Sequence, residues 1–174
     1  MILKRRLANW LQRMLLMRWI LAWGLRFWVP RHSVGAVGVI FDEAGRVLLV
    51  EHVFRTHCPW GLPGGWIEPY EHPAEAVRRE IEEELKLKVE VKRLLLCESQ
   101  GSEPRSLIRG SSLGMAFYCR LAGEQTPAQA GLEVLSMEWV DPEAFSQRLT
   151  AIERRAITLA KQEFDREQSD ELFS

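Results

Sequence analysis

Apolar and polar residues follow two different periods along the chain, and the switches between them predict the secondary structure. Short β-rich apolar runs predict strands at 34–41, 46–53, 88–99, 113–121 and 132–140. The turn-forming residues 42–45 separate the first two runs, which predicts a hairpin. Helical spacing predicts helices over 72–85, from 141 to 149, and over 150–165. Strands interspersed with a few helices, without regular βαβ alternation, favour an α/β domain with a mixed sheet.

Helix ends and loops are marked by residues with known backbone preferences. Pro73 suits a first helical position, and Glu75 lies near the positive end of the same helix dipole. Asp141 is placed to cap the next helix. Residues 54–65 contain two prolines and three glycines, and residues 100–112 are mainly polar, so both segments are predicted as loops.

The first thirty residues predict a helical extension in front of a domain that spans 31–174. Four of the seven tryptophans lie in this extension. Arg18 and Arg26 interrupt its apolar run, whereas a transmembrane helix needs roughly 18 uninterrupted apolar residues. A secretory signal would need a clean apolar centre and a small-residue cleavage site, and neither is evident. The segment therefore favours packing against the domain or a second subunit as a homodimer, or peripheral contact with a membrane interface.

The charge is unevenly distributed along the chain. The net charge is −1, and residues 1–41 carry seven basic and no acidic side chains, which leaves −8 on the remainder. A basic head on an acidic body argues against a nucleic-acid binder. Cys58, Cys97 and Cys119 form no CxxC pair and predict free thiols in a reducing compartment. A cytoplasmic location is expected, with membrane association if the first thirty residues bind lipid.

Carboxylates are concentrated between Glu71 and Glu84, where six of fourteen residues are glutamate. Residues three and four apart share one face of a helix, so Glu80, Glu83 and Glu84 are neighbours. Carboxylates at this spacing repel one another, and a divalent cation relieves the repulsion. Mg²⁺ prefers oxygen ligands and often bridges carboxylates to phosphate. The spacing by itself leaves two interpretations open, an ordinary charged helix surface and a metal site.

The residues around these glutamates resemble the Nudix box, GX5EX7REUXEEXGU, in which U is a bulky aliphatic residue. The matching residues are Gly65, Glu71, Arg79, Glu80, Ile81, Glu83, Glu84 and Leu87. Lys86 stands where the family has glycine, and a left-handed lysine costs on the order of 1 kcal/mol. The resemblance implies a Nudix-type α/β/α sandwich with a mixed sheet, here with an N-terminal helical extension.

The resemblance also implies a reaction and its cofactor. Nudix enzymes hydrolyse a nucleoside diphosphate linked to another moiety, using Mg²⁺ or Mn²⁺. By that resemblance Glu80, Glu83 and Glu84 are expected to bind the metal. Arg79 is expected to orient Glu83, and Glu71 to support the site or act as an outer ligand. The small-molecule partner is therefore a nucleotide.

Further roles implied by the resemblance fall on loops and strand ends. Gly64 and Gly65 are expected to let the backbone pass close to the metal and the diphosphate. The general base is expected to be a box glutamate or a downstream one. The downstream candidates are Glu98, at the end of a strand, and Glu103, in the long polar loop.

Substrate choice rests on fewer residues. Arg105 and Arg109 in the polar loop are candidates to clamp phosphates, since guanidinium groups bind phosphate with two parallel hydrogen bonds. Pro104 lies near a proline position of ADP-ribose-hydrolysing relatives, which favours ADP-ribose or a similar nucleotide sugar. Trp66 is the main candidate to contact the base. Other candidates for stacking are Phe54, Trp60 and Tyr118.

A second function class stays open at this point. A Nudix-fold binding or regulatory module without catalysis, held at a membrane or dimer interface by residues 1–30, would usually have a broken box. Every acidic position of the box is present here. The catalytic interpretation is therefore the favoured one.

Overall fold

A computed structural model describes residues 19, 33–53, 55, 58–100, 112–123, 131, 133–144 and 149–172. The chain divides into two units, Met1–His32 and Ser33–Ser174. Apart from Trp19, the predicted N-terminal helix lies outside the described residues and stays a prediction. No helix among the described residues combines the length and apolar character needed to cross a bilayer.

The described part contains seven strands and two helices. The strands are β1 (Val34–Ile40), β2 (Val47–His52), β3 (Trp60–Gly61), β4 (Gly64–Trp66), β5 (Val89–Gln100), β6 (Ser112–Leu121) and β7 (Val134–Val140). The helices are α1 (Pro73–Leu85) and α2 (Ala151–Leu172). The five long strands, the helix over 72–85 and the last helix therefore lie where the hydrophobic pattern predicts them.

The strands form two sheets. The first has the order β4-β1-β6-β5 and is mixed, because β1 and β6 are parallel while the other pairs are antiparallel. The second has the order β3-β2-β7 and is antiparallel. The predicted hairpin of β1 and β2 is wrong, since these strands lie in different sheets and share one isolated bridge, Phe41 to Val47. In both strands consecutive residues are buried, so other parts of the chain pack on both faces of each strand. The two strands separate after their turn and join different sheets.

Two apolar clusters enclose the sheets, one for each helix. Val77, Ile81 and Leu85 of α1 belong to the cluster that includes Ala36 and Ile40. On the other side, α2 contributes to a second cluster with neighbouring strand residues; its members from α2 are Ala156, Ile157 and Ala160. Alternate residues of β1 and β2 thus face different helices. The architecture is the α/β/α sandwich with a mixed sheet that the box implies.

Two predicted segments differ from the structure. Pro142–Ala144 form a turn, in which Asp141 Oδ1 accepts a hydrogen bond of 2.9 Å from the Glu143 amide. Residues 145–148 of the predicted 141–149 helix lie outside the described residues. The segment 54–65, predicted as loop, contains β3 and the start of β4. Its glycines pair with neighbouring strands, because a strand edge accepts any residue whose backbone can reach it.

Candidate active site

The helix α1 carries the box and has defined ends. Its first residue is Pro73, and the His72 side chain accepts from the Ala74 amide at 3.3 Å, which caps the first turn. At the other end Lys86 has φ 58° and ψ 22°, and its amide donates to Glu82 O. The lysine therefore adopts the left-handed conformation that the family's glycine predicts. The chain therefore leaves α1 in the same conformation as with a glycine, but the Lys86 backbone is strained.

In β4 two glycines place a stretch of backbone without side chains against α1. Gly64 and Gly65 pair antiparallel with Val37 and Ala36 of β1. Gly64 has φ 138°, and a side chain there would run into the Ala36 carbonyl oxygen. A Cβ on Gly65 would lie 2.5 Å from the carboxyl carbon of Glu80. Both glycines are thus needed for close approach, and they place the strand backbone directly beside the box carboxylates.

Glu84 lies under this glycine strand. Its exposed fraction is 9%, and its Oε2 accepts from the Gly64 amide at 3.2 Å. Burial raises the Glu84 pKa to about 7, and the charges of Glu80 and Glu133 add to the rise. The Gly64 hydrogen bond and the Arg55 charge oppose it. Glu84 therefore holds a proton near neutral pH unless a further positive charge arrives.

Arg79 connects the remaining acids of the box. Its Nε and Nη2 donate to the two oxygens of Glu71 at 2.8 and 2.9 Å, and Nη2 also donates to Trp66 O at 3.2 Å. Its Nη1 donates to Glu80 at 2.9 Å and to Glu83 at 3.4 Å. The Arg79 hydrogen bonds, with one from the Glu68 amide, lower the Glu71 pKa to about 2. The predicted contact of Arg79 with Glu83 is present but long, and Glu71 is the stronger partner.

Two charged residues near Glu84 carry no signal in the sequence pattern. The Gly131 amide donates to Glu84 O at 2.7 Å, and the close packing of Gly131 on this last helical turn brings the neighbouring Glu133 to the site. Arg55 approaches from the segment after β2, and its charge acts on Glu84. Neither Arg55 nor Glu133 belongs to a recognisable sequence motif, so only the packing of distant segments identifies them.

The other predicted site residues lie at different places. Glu98 lies on the face that α2 covers, where its carboxylate accepts from Arg155; α1 covers the opposite face. Trp66 has an exposed fraction of 52% on β4, next to Gly65. Tyr118 is 2% exposed and donates to Glu167 at 2.7 Å, so it is a core residue and not a stacking platform. Trp60, on β3, is partly buried against the apolar cluster of α2. The candidates outside the described residues are Phe54, Glu103, Pro104, Arg105 and Arg109.

The carboxylates of the box have the donor chemistry that a divalent cation requires. Glu80 and Glu84 supply hard oxygen donors close to the Gly64–Gly65 backbone, which suits Mg²⁺ or Mn²⁺. Glu83 is 63% exposed and is turned toward Arg79. Accordingly, within the described ranges no three acidic, histidine or cysteine side chains are arranged as a ligand set. The donor types fit the ion, and Glu83 has to rotate away from Arg79 to join them.

Comparisons with known proteins agree with this architecture and donor set. The family model described as NUDIX domain matches residues 31–161. A MutT-like protein from Streptomyces ambofaciens is 30% identical over 71% of this chain and 73% of its own length. The nucleoside diphosphate-linked moiety X motif 6 protein of Mus musculus is 35% identical over 74% of this chain and 41% of its own length.

A solved structure gives the same result for the fold. The MutT NUDIX hydrolase from Burkholderia pseudomallei superposes with a TM-score of 0.58 at 25% identity, over 74% of this chain and 98% of that one. A family match over most of the chain, a related sequence of similar length and a shared fold agree with one another. The chain therefore belongs to the Nudix family of phosphoanhydride hydrolases.

Proposed function

We propose that this chain is a metal-dependent pyrophosphohydrolase that cleaves a nucleoside diphosphate linked to another moiety, with Mg²⁺ as its ion and Mn²⁺ as a substitute. The observation that carries the proposal is the gathering of Glu80 and Glu84 around the bare Gly64–Gly65 backbone. The name of the mouse relative, which refers to nucleoside diphosphate-linked moieties, supports this substrate class.

In the proposed site, Glu80, Glu83 and Glu84 hold the ion. When bound, the ion neutralises phosphate charge and lowers the pKa of an attacking water. Because Gly64 and Gly65 carry no side chain, the strand backbone lies directly against β1 and Glu80, and the diphosphate is proposed to bind beside it. Arg79 keeps Glu71 and Glu80 in fixed orientations through its hydrogen bonds.

The general base is proposed to be a box glutamate. Glu98 accepts a hydrogen bond from Arg155, and this pairing has to break before Glu98 acts as a base. Glu103 stays a candidate from the sequence. Glu84 and Glu80 lie nearest the glycine backbone, and a base works best when its pKa is close to the working pH. The pH–rate profiles of Glu80→Gln and Glu84→Gln assign the role, because the acidic limb disappears with the base.

The proposed substrate is ADP-ribose or a similar nucleotide sugar. Pro104 favours it by position, and Trp66 offers an exposed aromatic face beside Gly65 for the base. Arg105 and Arg109 are proposed to clamp the phosphates. A panel of nucleotide sugars, nucleoside triphosphates and dinucleoside polyphosphates, tested with Mg²⁺ and Mn²⁺ and with products identified by mass, measures the preference.

A pair of neighbouring variants tests catalysis. Glu83→Gln removes a proposed metal ligand and is expected to lower kcat at least about 100-fold, as expected when a group that stabilises the transition state is lost. Glu82→Gln changes an exposed glutamate one residue away and is expected to keep nearly full activity. Undiminished hydrolysis by Glu83→Gln would overturn the proposal.

The role proposed for residues 1–30 is attachment, either to a second subunit or to a membrane surface, while the domain works in the cytoplasm. Lipid co-sedimentation and sedimentation velocity of the full chain are compared with those of a chain that starts at Arg31. Loss of lipid binding or of the dimer in the shorter chain supports attachment. Equal behaviour of both chains excludes it.

A further inference from the structure

The site needs a cation for the phosphates, and the arginine of the box has none of its donors left for them. A guanidinium group has five N–H donors. Those of Arg79 go to Glu71 twice, to Glu80, to Glu83 and to Trp66 O. Arg79 therefore orients carboxylates and does not bind a phosphate oxygen without giving up a partner. Besides Arg105 and Arg109, which lie outside the described residues, a further arginine can supply such donors.

Arg55 is placed differently. Its Nη1 donates to Glu153 Oε1 at 2.8 Å, and this is the hydrogen bond that its guanidinium makes within the described part of the chain. Four of the five N–H donors are thus left for a ligand. The Arg55 side chain is 37% exposed, whereas that of Glu153 is 7% exposed. The guanidinium is anchored at one nitrogen and open to solvent at the others.

The anchor itself is rigid. Glu153 Oε2 accepts from the Thr150 amide at 2.9 Å and from its hydroxyl at 2.7 Å, while Thr150 Oγ1 accepts from the Glu153 amide at 3.3 Å. This is a capping box at the first turn of α2. The second carboxylate oxygen is therefore held in place to receive Arg55. A cation fixed in this way loses little side-chain entropy when a ligand binds.

The position of the guanidinium relates it to the glycine strand. A Cβ on Gly61 would collide with Arg55 Nη1 and would lie 2.6 Å from Glu153 Oε1. Gly61 ends β3, three residues before Gly64, whose amide binds Glu84. Arg55 therefore lies against the backbone that leads directly into the glycine strand.

We propose that Arg55 binds a non-bridging phosphate oxygen of the substrate diphosphate and so fixes the nucleotide relative to Glu80 and Glu84. This inference rests on the proposed function for the identity of its ligand. Guanidinium suits the task because its parallel donors match two phosphate oxygens. Glu153 acts on the substrate only through Arg55, as a positioning residue.

The experiment measures binding separately from cleavage. Binding of α,β-methylene-ADP, whose diphosphate bridge is not cleavable, is measured by calorimetry in the presence of Mg²⁺. KM and kcat are measured in parallel with the best substrate. Arg55→Gln is expected to weaken binding and raise KM by about 10- to 100-fold, the loss typical of hydrogen bonds to charged groups, with kcat changed less than about threefold. Arg155→Gln, which loses another arginine–glutamate pair, is the control and is expected to bind as wild type.

A double variant excludes a merely structural role. Arg55→Gln alone leaves Glu153 buried without its cation, which can damage the fold. Arg55→Gln with Glu153→Gln removes both charges and restores local neutrality. The inference predicts that this double variant keeps the weak binding and high KM. Wild-type binding in the double variant would overturn it.

The two proposals fail in different ways. If the wild-type chain binds the analogue and cleaves no nucleotide, the proposed hydrolysis is wrong, and the Arg55 variants still test the inference by binding. If the chain cleaves nucleotides and every Arg55 variant binds as wild type, only the inference is overturned. Failure of the wild-type chain to bind the analogue would overturn the inference as well.

Discussion

The two helices of the sandwich both cover a sheet and both carry many acids, yet their charges are balanced differently. On α2 each of several acids has its own cationic or hydroxyl partner. These pairs are Glu153 with Arg55, Glu163 with Arg93, Asp165 with Lys161, and Glu167 with Tyr118. On α1 one arginine, Arg79, serves three glutamates, and Glu84 has the Gly64 amide as its hydrogen-bond donor.

This difference distinguishes a structural surface from a site. The paired acids of α2 are neutralised within the chain, and Glu163 and Glu167 join the helix to β5 and β6. Acids of the box are drawn together by glycine backbone and by packing, and the pKa of Glu71 is lowered while that of Glu84 is raised. Charge left uncompensated in the folded chain is a common property of groups that bind ions or perform catalysis. The comparison predicts that equivalent changes in the two regions have different consequences.

The largest difference is expected from glycine substitutions. Gly64→Ala places a methyl group against the Ala36 carbonyl and is expected to lower the free energy of unfolding by more than about 3 kcal/mol. Gly45→Ala lies beside α2, with φ 75° and only the ends of Lys161 and Phe164 nearby, and is expected to cost about 1 kcal/mol. Urea unfolding followed by circular dichroism measures both. Equal costs would mean that β4 can move away from β1.

Replacing one buried glutamate in each helix is expected to give effects of opposite sign. At pH 8 without metal, Glu84→Gln is expected to stabilise the fold by on the order of 2 kcal/mol, because a crowded charge is removed. Glu153→Gln is expected to destabilise it by a similar amount, because Arg55 loses its charged partner. Thermal and urea unfolding of both variants measure the effects. Destabilisation by Glu84→Gln would contradict the proposed crowding.

The pH dependence of stability follows from the same group. The Glu84 pKa is raised from 4.5 to about 7, so between these values the folded chain binds more protons than the unfolded chain. Its contribution to the free energy of unfolding therefore falls as pH rises from about 4.5 to 7, by up to about 1.4 kcal/mol per unit. The difference between wild type and Glu84→Gln, measured by urea unfolding across this range, isolates it. A difference that does not change with pH would refute the raised pKa.

The smallest effect is expected at the exit of α1. Lys86 has φ 58°, a conformation that glycine adopts without strain. Lys86→Gly is expected to raise the free energy of unfolding by about 0.5–1 kcal/mol, and Lys86→Ala to give no such gain because it keeps the Cβ. Chemical unfolding of the two variants measures the difference. A gain from alanine equal to that from glycine would show that the lysine side chain, and not its backbone, is unfavourable.

Particular residues show how far the sequence predicts this fold. The spacing of Glu80, Glu83 and Glu84 predicts one helix with its acids on one side, since helical periodicity is local. The alternation in β5 and β6 likewise predicts strands. The supposed hairpin of β1 and β2 fails, because a turn of the right composition does not decide which sheet each strand joins. Sheet membership depends on partners far along the chain.

The candidate site divides in the same way. The box names its glutamates, its arginine and its glycine, because their spacing along one helix and its preceding strand carries the signal. Arg55, Glu133 and Glu153 carry no such signal, since they come from three separate segments that meet only after the sheets assemble. Tyr118 is an aromatic residue of the kind that can stack on a ligand. It is a core residue in this structure because it lies on the face of β6 that packs into the cluster of α2.

The sequence alone determined the helix that holds the carboxylates, the glycines that precede it and the family to which the pattern is similar, because those features depend on neighbours within a few residues. Which charges remain without an opposite charge nearby depends on the tertiary structure. That outcome depends on long-range packing: α2 brings Glu153 to Arg55, while β4 brings bare backbone to Glu80 and Glu84. The interaction energy of two charges depends on the distance between them, and the distances between separate segments are set only when the chain folds.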